Sequence, residues 1–282
     1  MDIEEKWLIG GGVALYTVVL IASVFLLWQD RRLPHHFTFV TVLLGWILQT
    51  SGLYIRGLAI GGCPLGNAFE IIQFVIWSLI ALYLVMGTTF RISLLGLFSA
   101  GLASLLGLLS LAIPSWDATR RPWMEGASVW VELHATLALF SYGVFALLAL
   151  ISAMYLLRHY SLKRKKNFTG LFHFLPSIKQ LEEMKFRVLL AGLFLLSTSL
   201  LIGLVNWSQI DGYVHQSKLL GTLAVWFGYS LLLIFRLRQI LASRTMAWAT
   251  IALFLFAMIS LWPVNKSRPE ERSGPSPHLS HS

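Results

Sequence analysis

The chain has 282 residues, of which 56% are hydrophobic and only 12% charged, about half the charged share of ordinary soluble domains. Mean hydropathy is +0.71, and eight membrane spans of roughly 20 residues would take up about 160 positions. This balance excludes a disordered chain, a disulfide-stapled secreted domain and a water-soluble enzyme. The single cysteine, Cys63, cannot close an intrachain disulfide or supply a Cys-based metal site.

Apolar runs separated by polar punctuation predict spans near 7–28, 37–57, 68–87, 90–113, 130–157, 187–206, 218–236 and 246–263. The fold class expected is therefore all-α: a polytopic membrane bundle of about eight helices occupying residues 1–264. The first span is preceded by Asp2, Glu4 and Glu5, an acidic leader unlike the basic one of a cleavable signal. Before the third span, Asn67 and Glu70 have the three-residue spacing of a capping box; the same Glu70 could equally floor a polar pocket. Between the fourth and fifth spans lie Trp116, Arg120, Arg121, Trp123 and Trp130. They read either as an interfacial aromatic belt with a basic surface patch, or as a loop able to cover a flat ligand and meet its carboxylates. Before the sixth span, Ser177 and Gln180 repeat the capping pattern, and Ile178, Leu181 and Met184 form an apolar stripe. That segment is expected to be a short surface helix or a plain connector. Residues 265–282, rich in Ser, Pro and charge, read as a disordered tail.

Charge decides the orientation. With both termini outside, the inner loops hold 14 Lys/Arg against 3 Asp/Glu, and the outer side holds 8 against 10. The formal net charge of +9 then follows from the rule that basic residues stay on the cytoplasmic side, which argues against nucleic acid as a partner. The expected setting is an N-out/C-out, multi-pass protein of a bacterial inner membrane, with the bilayer as its first partner. Neither a Walker loop nor a Gly-x-Ser-x-Gly elbow is present. The span centres read as free of carboxylates and of other polar residues, which places a transporter last among the functions considered.

Of the eight histidines, His134 and His215 fall at outer span ends. They read either as interfacial side chains or as ligands to a metal or a haem iron.

Several segments together resemble the membrane haem-handling proteins of cytochrome c assembly, in particular the compact CcsA-type or HemX-like branch. Pro64-Leu65-Gly66-Asn67-Ala68-Phe69-Glu70 is similar to that family's Pro-Leu-x-Asn-x-x-Glu segment. His134, followed by Ser141-Tyr142-Gly143-Val144-Phe145 and Tyr155-Leu156, resembles its His-led helix, and Leu175-Pro176-Ser177 through Lys185-Phe186-Arg187 resembles its inner connector. The likeness runs from about 60 to 260. It implies an eight-helix bundle with an outward-facing haem site and His134 as an axial ligand. The family's tryptophan-rich segment would fall at 205–220, where only Trp207, Asp211 and Lys218 correspond. No clear histidine follows the seventh span, which leaves His215 as the available second ligand. The resemblance implies a haem cofactor stacked or walled by Trp123, Trp130 and Trp207, with Arg120 or Arg121 meeting a propionate. The function expected is a haem-handling assembly factor for c-type cytochromes, non-catalytic or at most a subunit of a haem lyase. Its partners would be other maturation subunits or apocytochrome c. A HemX-like regulator of tetrapyrrole synthesis, acting through its basic cytoplasmic loop, is the alternative.

Overall fold

A computed structural model describes residues 3–31, 33–90, 93–117, 128–163, 175–207 and 216–266. Among them there are eight α-helices and no strand: α1 (Ile3–Trp28), α2 (His35–Ile60), α3 (Ala68–Phe90), α4 (Ser93–Ala112), α5 (Val129–Lys163), α6 (Ile178–Trp207), α7 (Gln216–Leu237) and α8 (Ser243–Lys266). A 3₁₀ turn, Pro114–Trp116, follows α4. All eight helices are long and apolar enough to cross a membrane. The chain is thus a polytopic helical membrane protein. Helices suit that solvent because every central backbone N–H and C=O is bonded within its own segment, leaving none to face lipid.

The helices alternate in direction, so the starts of α1, α3, α5 and α7 share one end of the bundle with the close of α8. We call this the terminal end, and the opposite one the far end. α1 pairs with α2, α4 packs on α1 and α3, and α5 joins that half to α6 and α8. α5 is the most buried helix and α7 the most exposed. Phe145, Leu147 and Ile151 of α5 are fully buried, in one core with Ile76, Leu79 and Ile80 of α3.

Apolar burial drives little association where the solvent is itself apolar, so close backbone approach and polar contacts do more of the work. Gly12 and Gly45 provide the approach between α1 and α2: a Cβ on Gly12 would lie 2.7 Å from the Gly45 carbonyl oxygen. A polar ladder crosses the same half of the bundle. Tyr16 donates its hydroxyl to Gln49 Oε1 (3.0 Å), Gln49 Nε2 donates to Gln73 Oε1 (2.7 Å), and Gln73 Nε2 donates to Ser110 Oγ (2.8 Å). Gln49 and Gln73 are fully buried, and Gln49 stands mid-way along α2. This corrects the expectation of spans without central polar residues: an amide of this kind is hidden in an apolar run because its partners come from other helices.

A second difference concerns the segment before the sixth span. Ile178–Met184 is no separate surface helix but the start of α6, continuous to Trp207. Leu181 and Met184 are buried in the core, so the apolar stripe faces neighbouring helices rather than lipid headgroups. Ser177 Oγ accepts the Gln180 N–H at 3.3 Å at this helix start. The tail at 267–282, read as disordered, lies outside the described residues.

Candidate functional site

His134 sits in the second turn of α5, half-buried at the terminal end of the bundle. Its Nδ1 lies 2.7 Å from the Ser199 carbonyl oxygen and 3.1 Å from Ser199 Oγ. Ser199 belongs to α6 and is fully buried; its hydroxyl donates back to the His134 carbonyl at 2.8 Å. A carbonyl only accepts, and the serine proton is already committed, so Nδ1 carries the hydrogen. In the neutral ring Nε2 then holds the lone pair. The imidazole rests on Gly203, one turn further along α6, where an added Cβ would fall 2.7 Å from His134 Cε1. Glycine there is a space requirement of the ring.

The other residues singled out in the sequence are placed unevenly. Trp130 is in the first turn of α5, 60% exposed, as an interfacial tryptophan would be. Trp207 is the last residue of α6. Arg120, Arg121, Trp123 and His215 lie outside the described residues, and among the described residues no three His, Cys, Asp or Glu side chains gather as for a metal ion.

Beside this region is a charged cluster that sequence reasoning did not assemble. Arg56 in the last turns of α2 is 1% exposed. Its Nε donates to Glu70 Oε1 (2.6 Å), its Nη1 to Glu5 Oε1 (3.0 Å) and its Nη2 to Asp117 Oδ1. Glu5 and Glu70 are themselves 2% and 0% exposed. Lys6 Nζ reaches Asp117 Oδ2 at 2.6 Å, Asn67 Nδ2 donates to Asp117 Oδ1 at 3.2 Å, and the guanidinium lies 5.2 Å from the Phe69 ring centroid. Asn67 caps α3 by accepting the Glu70 N–H at 2.9 Å. The Glu70 carboxylate goes to Arg56 and to the Gly66 N–H, so it both caps and clamps. The forked guanidinium suits this role because it offers several rigid donors to separate carboxylates.

Burial raises the Asp117 carboxyl, but hydrogen bonds and charge from Lys6 and Arg56 outweigh it and hold the group below its ordinary 3.8. Burial pushes the nearby Cys63 thiol up, opposed by its contact with Thr136 and reinforced by Glu132 and Glu70. Glu132, one turn before Thr136, accepts the Cys63 N–H at 3.3 Å, which ties the α2–α3 loop to the His134 helix.

The signal for this cluster was one arginine just inside the end of an apolar span, where an ionisable residue needs a partner. Its partners are 14, 51 and 61 residues away, a separation that no local pattern spans.

A family model described as Cytochrome C assembly protein matches residues 65–268. The chain belongs to this family. Protein HemX of Brevibacillus brevis is 28% identical over 260 residues, covering 91% of this chain and 94% of that one. Protein HemX of Bacillus subtilis (strain 168) is 26% identical over 257 residues, covering 89% and 91%. Membership makes the function a haem-related one in the membrane. The matched range begins at the α3 cap and includes His134, Ser199 and Gly203; Arg56 and Glu5 precede it.

Proposed function

We propose that this protein handles haem at the terminal end of its bundle, facing outward, in c-type cytochrome biogenesis in a bacterial cytoplasmic membrane. Both termini would be outside, residues 1–264 would form the assembly domain, and 265–282 a disordered tail. The observation that carries the reading is the Nδ1–H of His134 bound to the Ser199 carbonyl, with Nε2 left as an electron-pair donor. Histidines that hold metals are typically oriented in this way, by a carbonyl or carboxylate on the other ring nitrogen. His134 is therefore a donor of the kind a haem iron takes.

When bound, haem would supply an iron centre whose axial ligation the protein controls. Ser199 fixes the tautomer and the plane of the ring, and Gly203 leaves room for it. His215 is the proposed second ligand; Trp123, Trp130 and Trp207 would wall the macrocycle, and Arg120 or Arg121 would meet a propionate by a charge-assisted pair. The role is delivery or holding rather than catalysis, with apocytochrome c or other maturation subunits as partners.

Hemin titration of detergent-purified protein tests this. Wild type should give a Soret band of ligated haem, weakened and shifted by His134→Ala and disturbed again by His215→Ala. If only His134→Ala matters, ligation is through one histidine. If neither variant changes the band or cytochrome c maturation, the reading fails.

A further inference from the structure

A cavity of about 580 Å³ opens at the far end of the bundle, away from His134. Arg236, Gln239 and Ser243 give it a polar side, and Phe186, Leu237 and Leu241 an apolar one. It lies where α7 turns into α8 against the start of α6. We propose that this cavity binds a phosphate group carried by an amphiphile: the head of an anionic phospholipid, with its first methylenes against Phe186, Leu237 and Leu241.

The local charges support an anion. Glu182, behind the lining Arg236, is shared between two cations: Arg236 Nη1 lies 2.8 Å from its Oε2 and Lys185 Nζ 3.0 Å from its Oε1. One carboxylate against two cations leaves a surplus of one positive charge. Among the described residues Glu182 is the ion-pair partner of Arg236, and one contact leaves most of the five N–H donors of a guanidinium unspent. From α5, Tyr155 faces the group through its ring, 3.9 Å from Lys185 Nζ. Tyr160, also of α5, accepts from Arg244 Nη2 at 3.0 Å. Arg238 and Arg244, both exposed, flank the turn and raise the local concentration of anions. Basic pockets between membrane helices on the side of basic loops suit phosphate headgroups, and the mixed lining favours a head with a tail over a bare anion.

The test is native mass spectrometry of the detergent-purified full chain with dioleoylphosphatidylglycerol, dioleoylphosphatidylcholine or inorganic phosphate. Phosphatidylglycerol should be retained over phosphatidylcholine. Arg236→Gln should lower its retention about fivefold, the weight of one basic side chain near an anionic head. Glu182→Gln should raise it, because the competing carboxylate is gone. A purely structural ion pair would make both variants fall together. Gln239→Leu, which leaves the ion pair intact, should also weaken retention in a chain with unchanged elution and helicity. Millimolar phosphate displacing the lipid would assign the site to the phosphate alone rather than to the whole head. Equal retention of both lipids, or parallel losses in Arg236→Gln and Glu182→Gln, would overturn the proposal. None of these outcomes depends on haem binding.

Discussion

At the scale of single residues the terminal end holds two kinds of demand, one steric and one electrostatic. The His134 ring occupies the space that a side chain at position 203 would need. Gly203→Ala should therefore displace the imidazole and weaken hemin binding by about 10- to 100-fold, the range for disturbing the support of a metal ligand, as read by Soret titration. Ser199→Ala should do less, because the Ser199 carbonyl remains to accept the Nδ1 hydrogen. The electrostatic demand is at Arg56, the buried cation shared by Glu5, Glu70 and Asp117. Arg56→Met should cost about 3–5 kcal/mol in reversible unfolding in mixed micelles, the usual penalty for breaking a buried charge pair. Arg56→Lys should recover only part of this, because a single ammonium cannot reproduce the fork. Acid should act here in a defined direction. The Asp117 carboxyl is held below 3.8 in the folded chain, so its contribution is complete above that value and is lost as pH falls through the depressed one. Stability should thus be insensitive to this group from pH 5 to 8, as roughly expected for an ionised carboxylate. Asp117→Asn should flatten the acid limb of a stability–pH curve.

At the scale of elements, the α1–α2 contact and the polar ladder make different predictions. Gly45 has Tyr16 Cε1 2.7 Å and the Gly12 carbonyl 3.1 Å from where its Cβ would be. Gly45→Leu should separate the two helices and destabilise by roughly 1–3 kcal/mol, the cost of overpacking. Gln49→Leu removes one rung between Tyr16 and Gln73 and should cost only about 1 kcal/mol, since interhelical hydrogen bonds in membranes are individually modest. The same unfolding assay ranks the two. Boundaries read from hydropathy came within a few residues at α2 and α3, but α5 and α6 extend well past the predicted spans. Their extra turns, 158–163 and 178–186, are more polar than the spans they extend; in the second, Leu181 and Met184 are buried and Lys185 lies over the Tyr155 ring of α5.

At the scale of the whole molecule, orientation is the open prediction. In a Cys63→Ser background, Ser276→Cys should react with a membrane-impermeant maleimide in intact cells. Lys163→Cys should react only after permeabilisation, as the basic excess at that end requires. The opposite pattern would put His134 on the cytoplasmic face and end the outward-facing reading. Wild-type Cys63 should react slowly at neutral pH, because its half-buried thiol is pushed up and the thiolate is the reactive form.

The amino-acid sequence by itself determined the solvent, the number of helices and the expected orientation, because each depends on local composition: length of apolar run, and the side on which Lys and Arg are left. It also marked His134, through family motifs and its place at a span end. Only the tertiary structure decided what those residues do to one another. Ser199 and Gly203 are 65 and 69 positions from His134, yet they set its tautomer and its space. Glu5, Arg56, Glu70 and Asp117 become one cluster only when four segments meet. Hydropathy sums over neighbours in the chain, whereas a buried charge or a lone imidazole is decided by neighbours in space.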